Sequence, residues 1–453
     1  MIRFDETKIT NDMQDIIRCR TVSNRDESLV DRGEFIKLYA LLEERFPSLY
    51  AACSPEHIGK TGLVFRIPGN DARESQGGAP QPEKNSVCKC AVLMAHYDVV
   101  PVVEEEWTKP PFDAVIEDGV MWGRGTLDTK GTFCAILESV DAGLAAGWKP
   151  QHDMYLSFSG EEEIDGNSCA DIVSRFEKQG VHPDFVLDEG GAIVEKAFPG
   201  VQGRCAMIGI AEKGSVNINC STESTGGHAS APPAHSAAGY IAMAAQALEN
   251  HPYRTQFTRP VKEMLGVLAP KKKLLFAAAF RLFGRKIGGE VNAMMHTTCA
   301  VTRLEGSGAY NVLPHTASLG MNVRLLGTDT IDSMLAHMKK SVKSVERRNG
   351  VHFTFTVVNG MNPSIVSDTD CPQWDSLKSI IRKTWPDVIV SPYLMMACSD
   401  SRHYCRITDK VYRFSAMYMS KEDRGLIHGS NERIKLSTLF ETVRFYCNLL
   451  ETL

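Results

Sequence analysis

No window of the sequence is long and apolar enough to span a bilayer, so a helical membrane protein is not expected. The first twenty residues mix Asp5, Glu6, Lys8 and Asp12 with scattered apolar side chains, and lack the basic start and apolar centre of a secretion signal. Basic excess is missing too: 50 Lys and Arg against 55 Asp and Glu give a formal net charge of -5, and no nucleic-acid partner is expected. The thirteen cysteines are odd in number and scattered singly, several of them, such as Cys134 and Cys299, in apolar segments. This fits reduced thiols in the cytoplasm. Cys88 and Cys90 stand too close for a zinc-knuckle pair and read as structural residues of a strand. What is present is ordinary for a globular chain: 43% hydrophobic and 23% charged residues over 453 positions, enough for two domains with substantial cores.

The apolar run Ala91 to Ala95 ends in His96-Tyr97-Asp98 and reads as a strand covered on both faces. In open α/β sheets the ligand crevice lies beyond the carboxyl ends of such strands. Residues two apart share a side, so Asp98 can reach the second ring nitrogen of His96. Gly119 to Gly131 turns sharply and delivers Asp128 just before a helix expected over Thr132 to Leu144, either as a cap or as part of a site. A strand Met154 to Phe158 leads into Glu161-Glu162-Glu163, and another, Asp184 to Leu187, into Asp188-Glu189-Gly190-Gly191. Carboxylates crowded at a strand end either face solvent or are neutralised by a cation. Four strands thus bring a histidine or acids to one sheet edge.

These motifs, His96-x-Asp98, Gly123-Arg124-Gly125 through Asp128-x-Lys130-Gly131, the three glutamates, Asp188-Glu189-Gly190-Gly191 and Gly226-Gly227-His228-Ala229-Ser230, together resemble the di-zinc family of carboxypeptidase S, glutamate carboxypeptidase, acetylornithine deacetylase and succinyl-diaminopimelate desuccinylase. The Leu187-to-Gly191 form is most similar to the carboxypeptidase S branch, and the likeness covers nearly the whole chain. One departure is Glu161, where the family usually carries Asp. The resemblance implies a doubly wound, mixed-sheet α/β catalytic domain and two Zn2+, with Co2+ or Mn2+ as possible substitutes. It implies that His96 and Asp188 hold one ion, Glu163 and His428 the other, and that Asp128 bridges them. Glu162 would be the general base, with Asp98 orienting His96. Arg402, in Cys398 to Tyr404, matches the segment that grips a substrate carboxylate.

From Gly214 to Pro363 the order strand, helix, long insertion, two strands, helix, strand is a split βαββαβ pattern, a ferredoxin-like α+β domain inserted between catalytic parts at 1–213 and 364–453. The resemblance identifies it as the family's lid and dimerisation domain, so a homodimer is expected. It implies that His228 reaches a neighbouring subunit's site and stabilises the oxyanion, and that Asn311 and Arg324 contact substrate. The insertion, 253–296, carries Lys271-Lys272-Lys273 and the apolar run to Lys286. Such a helix either lies on a membrane surface or packs on protein, and packing is the expectation.

The sequence therefore leads to a zinc-dependent hydrolase of a small peptide, cutting an amide next to a free carboxylate. The alternatives are a deacylase of N-acyl amino acids and, from another class, a non-catalytic zinc-binding or assembly protein. The glutamate beside a full ligand set argues against the last, and His96 and His428 argue against a glycosidase built on paired carboxylates.

Overall fold

The structure is a computed structural model that describes residues 2–70, 89–198, 200–271, 276, 278 and 289–453. Most of the stretch from Gly69 to Ser86, whose Gly, Pro, Gln and Asn content reads as an exposed loop, and most of the basic apolar stretch from Lys271 to Lys286, lies outside the described residues. Two compact units result. The first comprises Met1–Ile210, Val366–Tyr393 and Ser399–Leu453, the second Ala211–Ile365 and Leu394–Cys398.

The first unit is built on a mixed eight-stranded sheet. Its strands in chain order are β1 (Glu56–Ile58), β2 (Gly62–Ile67), β3 (Cys90–His96), β4 (Asp153–Ser159), β5 (Phe185–Glu195), β6 (Arg204–Glu212), β7 (Ile389–Met395) and β8 (Val411–Tyr418). Across the sheet they run β1-β2-β4-β3-β5-β8-β6-β7. β3 is parallel to both β4 and β5, and β8 is parallel to β5, so these strands present their carboxyl ends at one edge. All seven residues of β3 are buried, as its unbroken apolar run requires.

Both faces are covered. Val92 and Met94 pack with Ile172, Val173 and Phe176 of the helix Ser168–Gln179. On β4, Tyr155 meets Phe176, with ring centroids 4.8 Å apart, whereas Phe158 meets Phe133 of the helix Lys130–Ala145 at 4.7 Å. Positions 155 and 158 face opposite sides because side chains alternate along a strand. Each such fully buried large apolar side chain contributes roughly 1.5–3 kcal/mol. A small antiparallel sheet of Val115–Glu117, Val120–Trp122 and Arg433–Lys435 ties a late segment to an early one, pairing Arg433 with Trp122.

In the second unit the four strands Thr298–Glu305, Thr316–Leu325, Gly214–Glu223 and Thr354–Met361 lie in that order, all neighbours antiparallel. Ile241, Ala244 and Leu248 of the helix Ala237–Asn250 and Met334, Met338 and Val342 of the helix Ile331–Asn349 bury against Ile218, Leu319, Met321 and Val323. The interval expected to hold an insertion contains the helices Arg259–Leu268 and Gly289–Met295. The unit also takes in Leu394–Cys398, where the Lys213 N–H donates to the Met395 carbonyl at 3.1 Å. Among the described residues, the cysteines are free thiols and no helix is long and apolar enough to cross a membrane.

Candidate active site

The carboxyl edge of the first unit's sheet collects the strand-end residues. His96 closes β3 and is buried; its Nδ1 lies 3.0 Å from the Asp98 carbonyl and 3.4 Å from Asp98 Oδ1. Both are acceptors, so Nδ1 carries a proton, and Nε2 faces the acids. The Asp98 carboxylate does more than face the ring. Its oxygens accept the Glu162 and Glu163 N–H groups, each at 3.2 Å, and the Ser23 hydroxyl at 2.6 Å, so it fixes the turn that carries both glutamates.

Asp128 does not cap the helix Lys130–Ala145, whose N-cap is Thr129 without a side-chain bond. Instead its two oxygens face two imidazoles: Oδ1 is 3.0 Å from His96 Nε2, and Oδ2 is 3.0 Å from His428 Nε2. Glu163 Oε2 is also 3.0 Å from His428 Nε2. His428 adopts a left-handed backbone, φ 60°, in the loop before the final strand and helix, and its side chain is half exposed.

Asp188 is buried within β5. Its Oδ2 accepts the Ser401 N–H at 3.0 Å, whereas Glu189 Oε1 approaches His96 Nε2 to 3.5 Å. A register shift underlies this arrangement: Asp188 pairs with Arg413 of β8, but the next residue, Phe414, pairs with Gly191. Glu189 and Gly190 are thereby unpaired, with Gly190 at φ 141° and its N–H on Ser415 Oγ. Such bulges re-aim side chains at a sheet rim. Glu189, one residue on from Asp188, is thus a carboxylate that this register brings near His96 Nε2.

The electrostatics of the cluster call for positive charge. Burial opposes protonation of His96, yet Glu189, Asp128, Asp98 and Glu162 outweigh it and hold its pKa well above the ordinary value. Hydrogen bonds to Asp128 and Glu163 lift His428 to about 10. Burial pushes Glu162 and Glu189 well up, with neighbouring carboxylates adding to it. Burial pushes Asp128 the same way, but bonds from His428 and His96 set it below its usual range. Two sets of potential ligand atoms, those of His96, Asp128 and Glu163 and those of His96, Glu162 and Glu189, each lie within 4.8 Å of one another. Glu163 Oε1 is buried with no hydrogen-bond partner among the described residues. Nitrogen and carboxylate donors this close, one oxygen unpaired, fit a divalent cation.

The other expected residues are placed as follows. Arg402 Nη2 donates to Asp165 Oδ1 at 3.1 Å, and Arg25 reaches the other oxygen of Asp165 at 3.2 Å. Glu161, beside the glutamate pair, is buried and accepts the Ser168 hydroxyl. His228, Asn311 and Arg324 belong to the second unit. His228 pairs with Val312 in a two-stranded ribbon, and the Asn311 carbonyl accepts the Ala229 N–H at 3.0 Å, so both residues share one ribbon. His228 Nδ1 accepts the Ser230 N–H at 3.1 Å, which leaves Nε2 to carry the ring proton. Arg324 Nη1 donates to Cys398 Sγ at 3.5 Å.

Two acids of the site were not singled out by sequence. Asp400 is buried, accepts the Ser159 hydroxyl, and is pushed up to about 7 by burial. Glu432 is buried beneath the Asp128 loop. Both occur in segments with a recognisable motif, but only their long-range bonds distinguish them.

Residues 92–452 match the model of peptidase family M20/M25/M40. A Dictyostelium discoideum relative named "Probable carboxypeptidase S-like 2" is 32% identical over 430 residues, covering 92% of this chain and 79% of that protein. The human N-fatty-acyl-amino acid synthase/hydrolase PM20D1 is 31% identical over 447 residues, covering 95% of this chain and 84% of the relative. In fold, the chain is similar to an M20 family metallo-carboxypeptidase from Sulfolobus solfataricus, with a TM-score of 0.72 at 18% identity and 98% coverage of both chains. The strand-end cluster of histidines and carboxylates therefore sits in a carboxypeptidase-like hydrolase, and the chain belongs to peptidase family M20/M25/M40.

Proposed function

We propose that this metallopeptidase uses two zinc ions, one held by His96 and Glu189, the other by Glu163 and His428, with Asp128 between them. The observation that carries this reading is Asp128, whose two oxygens each face a different imidazole at 3.0 Å. Zinc supplies Lewis acidity toward a scissile carbonyl and acidifies water toward neutral pH. The rest falls to the chain. Glu162, next to Glu163 and fixed through its N–H by Asp98, takes the proton of the attacking water and hands it to the departing amine. Asp98 keeps the His96 proton on Nδ1. Arg402, steadied by Asp165, offers its guanidinium to the substrate carboxylate. His228, with its proton on Nε2, donates to the developing oxyanion, and Asn311 and Arg324 contact substrate from the same unit.

The substrate in this reading is a small peptide with a free carboxyl end. Hydrolysis of N-acyl amino acids is the second reading, favoured by the likeness to PM20D1 over nearly the whole chain. Both share an amide beside a carboxylate, so turnover of a panel of dipeptides and N-acyl amino acids decides between them. We also propose a cytoplasmic homodimer without membrane contact. The mechanism is tested by Glu162→Gln, which should keep the zinc content while lowering kcat by about 100-fold or more. Activity near wild type in that variant would show that Glu162 is not the base.

A further inference from the structure

Asp128 and His428 lie in neither a strand nor a helix, so their placement depends on what their surroundings hold. Four residues from each stands one half of a buried ion pair: Arg124 before Asp128 and Glu432 after His428. Arg124 Nη1 meets Glu432 Oε2 at 2.7 Å, and both side chains are almost wholly out of solvent. Glu432 Oε2 also accepts the Gly125 N–H at 2.9 Å, while Oε1 accepts the Leu127 N–H at 2.7 Å and the Asp128 N–H at 3.2 Å. Four donors fill the lone-pair sites of one carboxylate. On the other side, Arg124 Nη2 donates to the His428 carbonyl at 3.3 Å, joining residues 304 positions apart. The small sheet sets the register, since the Gly123 N–H bonds the Glu432 carbonyl at 2.9 Å beside the Trp122–Arg433 pair.

We infer that Glu432 is a positioning residue of the metal centre: with Arg124 it clamps the Asp128 loop and the His428 loop into one geometry. This deepens the proposed function and rests on its reading of Asp128 and His428 as ligands. Glu432 touches neither substrate nor metal in this account; it acts through the backbone of the residues that do. The clamp is specific in its chemistry. A carboxylate accepts at both oxygens, whereas the amide of Glu432→Gln would turn a donor toward donors. Lysine in Arg124→Lys keeps the charge but loses the planar fork that reaches both Glu432 and the His428 carbonyl.

The test is titration of Zn2+ alone into chelator-treated full-length protein against a competing chromophoric chelator, with the melting temperature of the zinc-free protein measured alongside. Glu432→Gln and Arg124→Lys should weaken zinc binding by roughly 10–100-fold, the range for partners one step removed from a metal. Glu138→Gln alters a buried carboxylate that instead bonds Lys8 Nζ, and it should leave the zinc Kd unchanged whatever it does to melting. Wild-type zinc affinity in Glu432→Gln overturns the inference. If that variant does not fold, Arg124→Lys decides by the same measurement. Asp128→Asn separates the two levels: if it binds zinc like wild type, the ligand reading falls and takes the clamp with it. If it loses zinc while both clamp variants keep it, the clamp alone is wrong.

Discussion

Adjacent residues on a strand point to opposite faces, so a strand end reading Asp188-Glu189 offers one carboxylate to each side. The pattern alone does not say which side holds the metal. The structure turns Glu189 toward His96 and gives Asp188 to the Ser401 N–H, which makes the two acids separable by experiment. Glu189→Gln should weaken zinc binding by at least about 100-fold, beyond the loss for partners one step removed. Asp188→Asn keeps an acceptor for Ser401 and should retain zinc. The reverse ranking, measured by metal titration of both variants, would restore the assignment to Asp188. Glu161 is a second residue whose neighbours decide its role. It is buried, and its side chain accepts the Ser168 hydroxyl inside the protein.

The bulge in β5 is the element-level cause of that choice, and it has little room. A Cβ on Gly191 would stand 1.8 Å from the Met207 carbonyl oxygen on β6. Backbone cannot yield there as a flexible side chain would, so Gly191→Ala should cost about 3 kcal/mol or more, read as a lower urea midpoint. An unchanged midpoint would mean that the bulge is not tightly packed. Elements with a strong local signal were legible in the sequence. The helix expected over Thr132 to Leu144 extends only a residue or two further at each end, to Lys130–Ala145. Its apolar spacing needs no distant partner. The β5 bulge is different, because its register is set by β8, a strand far along the chain. Glu432 was hidden for the same reason: its donors are Gly125, Leu127 and Asp128, and no local pattern marks a carboxylate that bonds across such a span. His96, Asp128 and His428 stood out because short motifs surround them.

At the scale of the molecule, the residues proposed to bind metal all belong to the first unit, while His228 belongs to the second. If His228 serves a neighbouring subunit's site, two dead proteins should repair each other. Mixing Glu162→Gln with His228→Ala under conditions of subunit exchange should recover about a quarter of wild-type activity, since half the dimers are mixed and each holds one complete site. No recovery, with exchange verified by light scattering and differential labelling, would place His228 in the service of its own chain or of no site.

The strand order also imposes a sequence of events in synthesis. β8 lies between β5 and β6 in the sheet, although the whole second unit is translated before it. Until residues 411–418 emerge from the ribosome, β5 and β6 are joined to each other only by their short pairing at residues 193–195 and 204–206, and most of an inner edge of each is open. Open inner strands are sticky, and late strand pairing is slow. If His428 is a ligand as proposed, its ion's site can be completed only after residues 411–418 have been made. Outside that short pairing, the facing edges of β5 and β6 therefore wait unpaired from the making of residue 212 until that of residue 418.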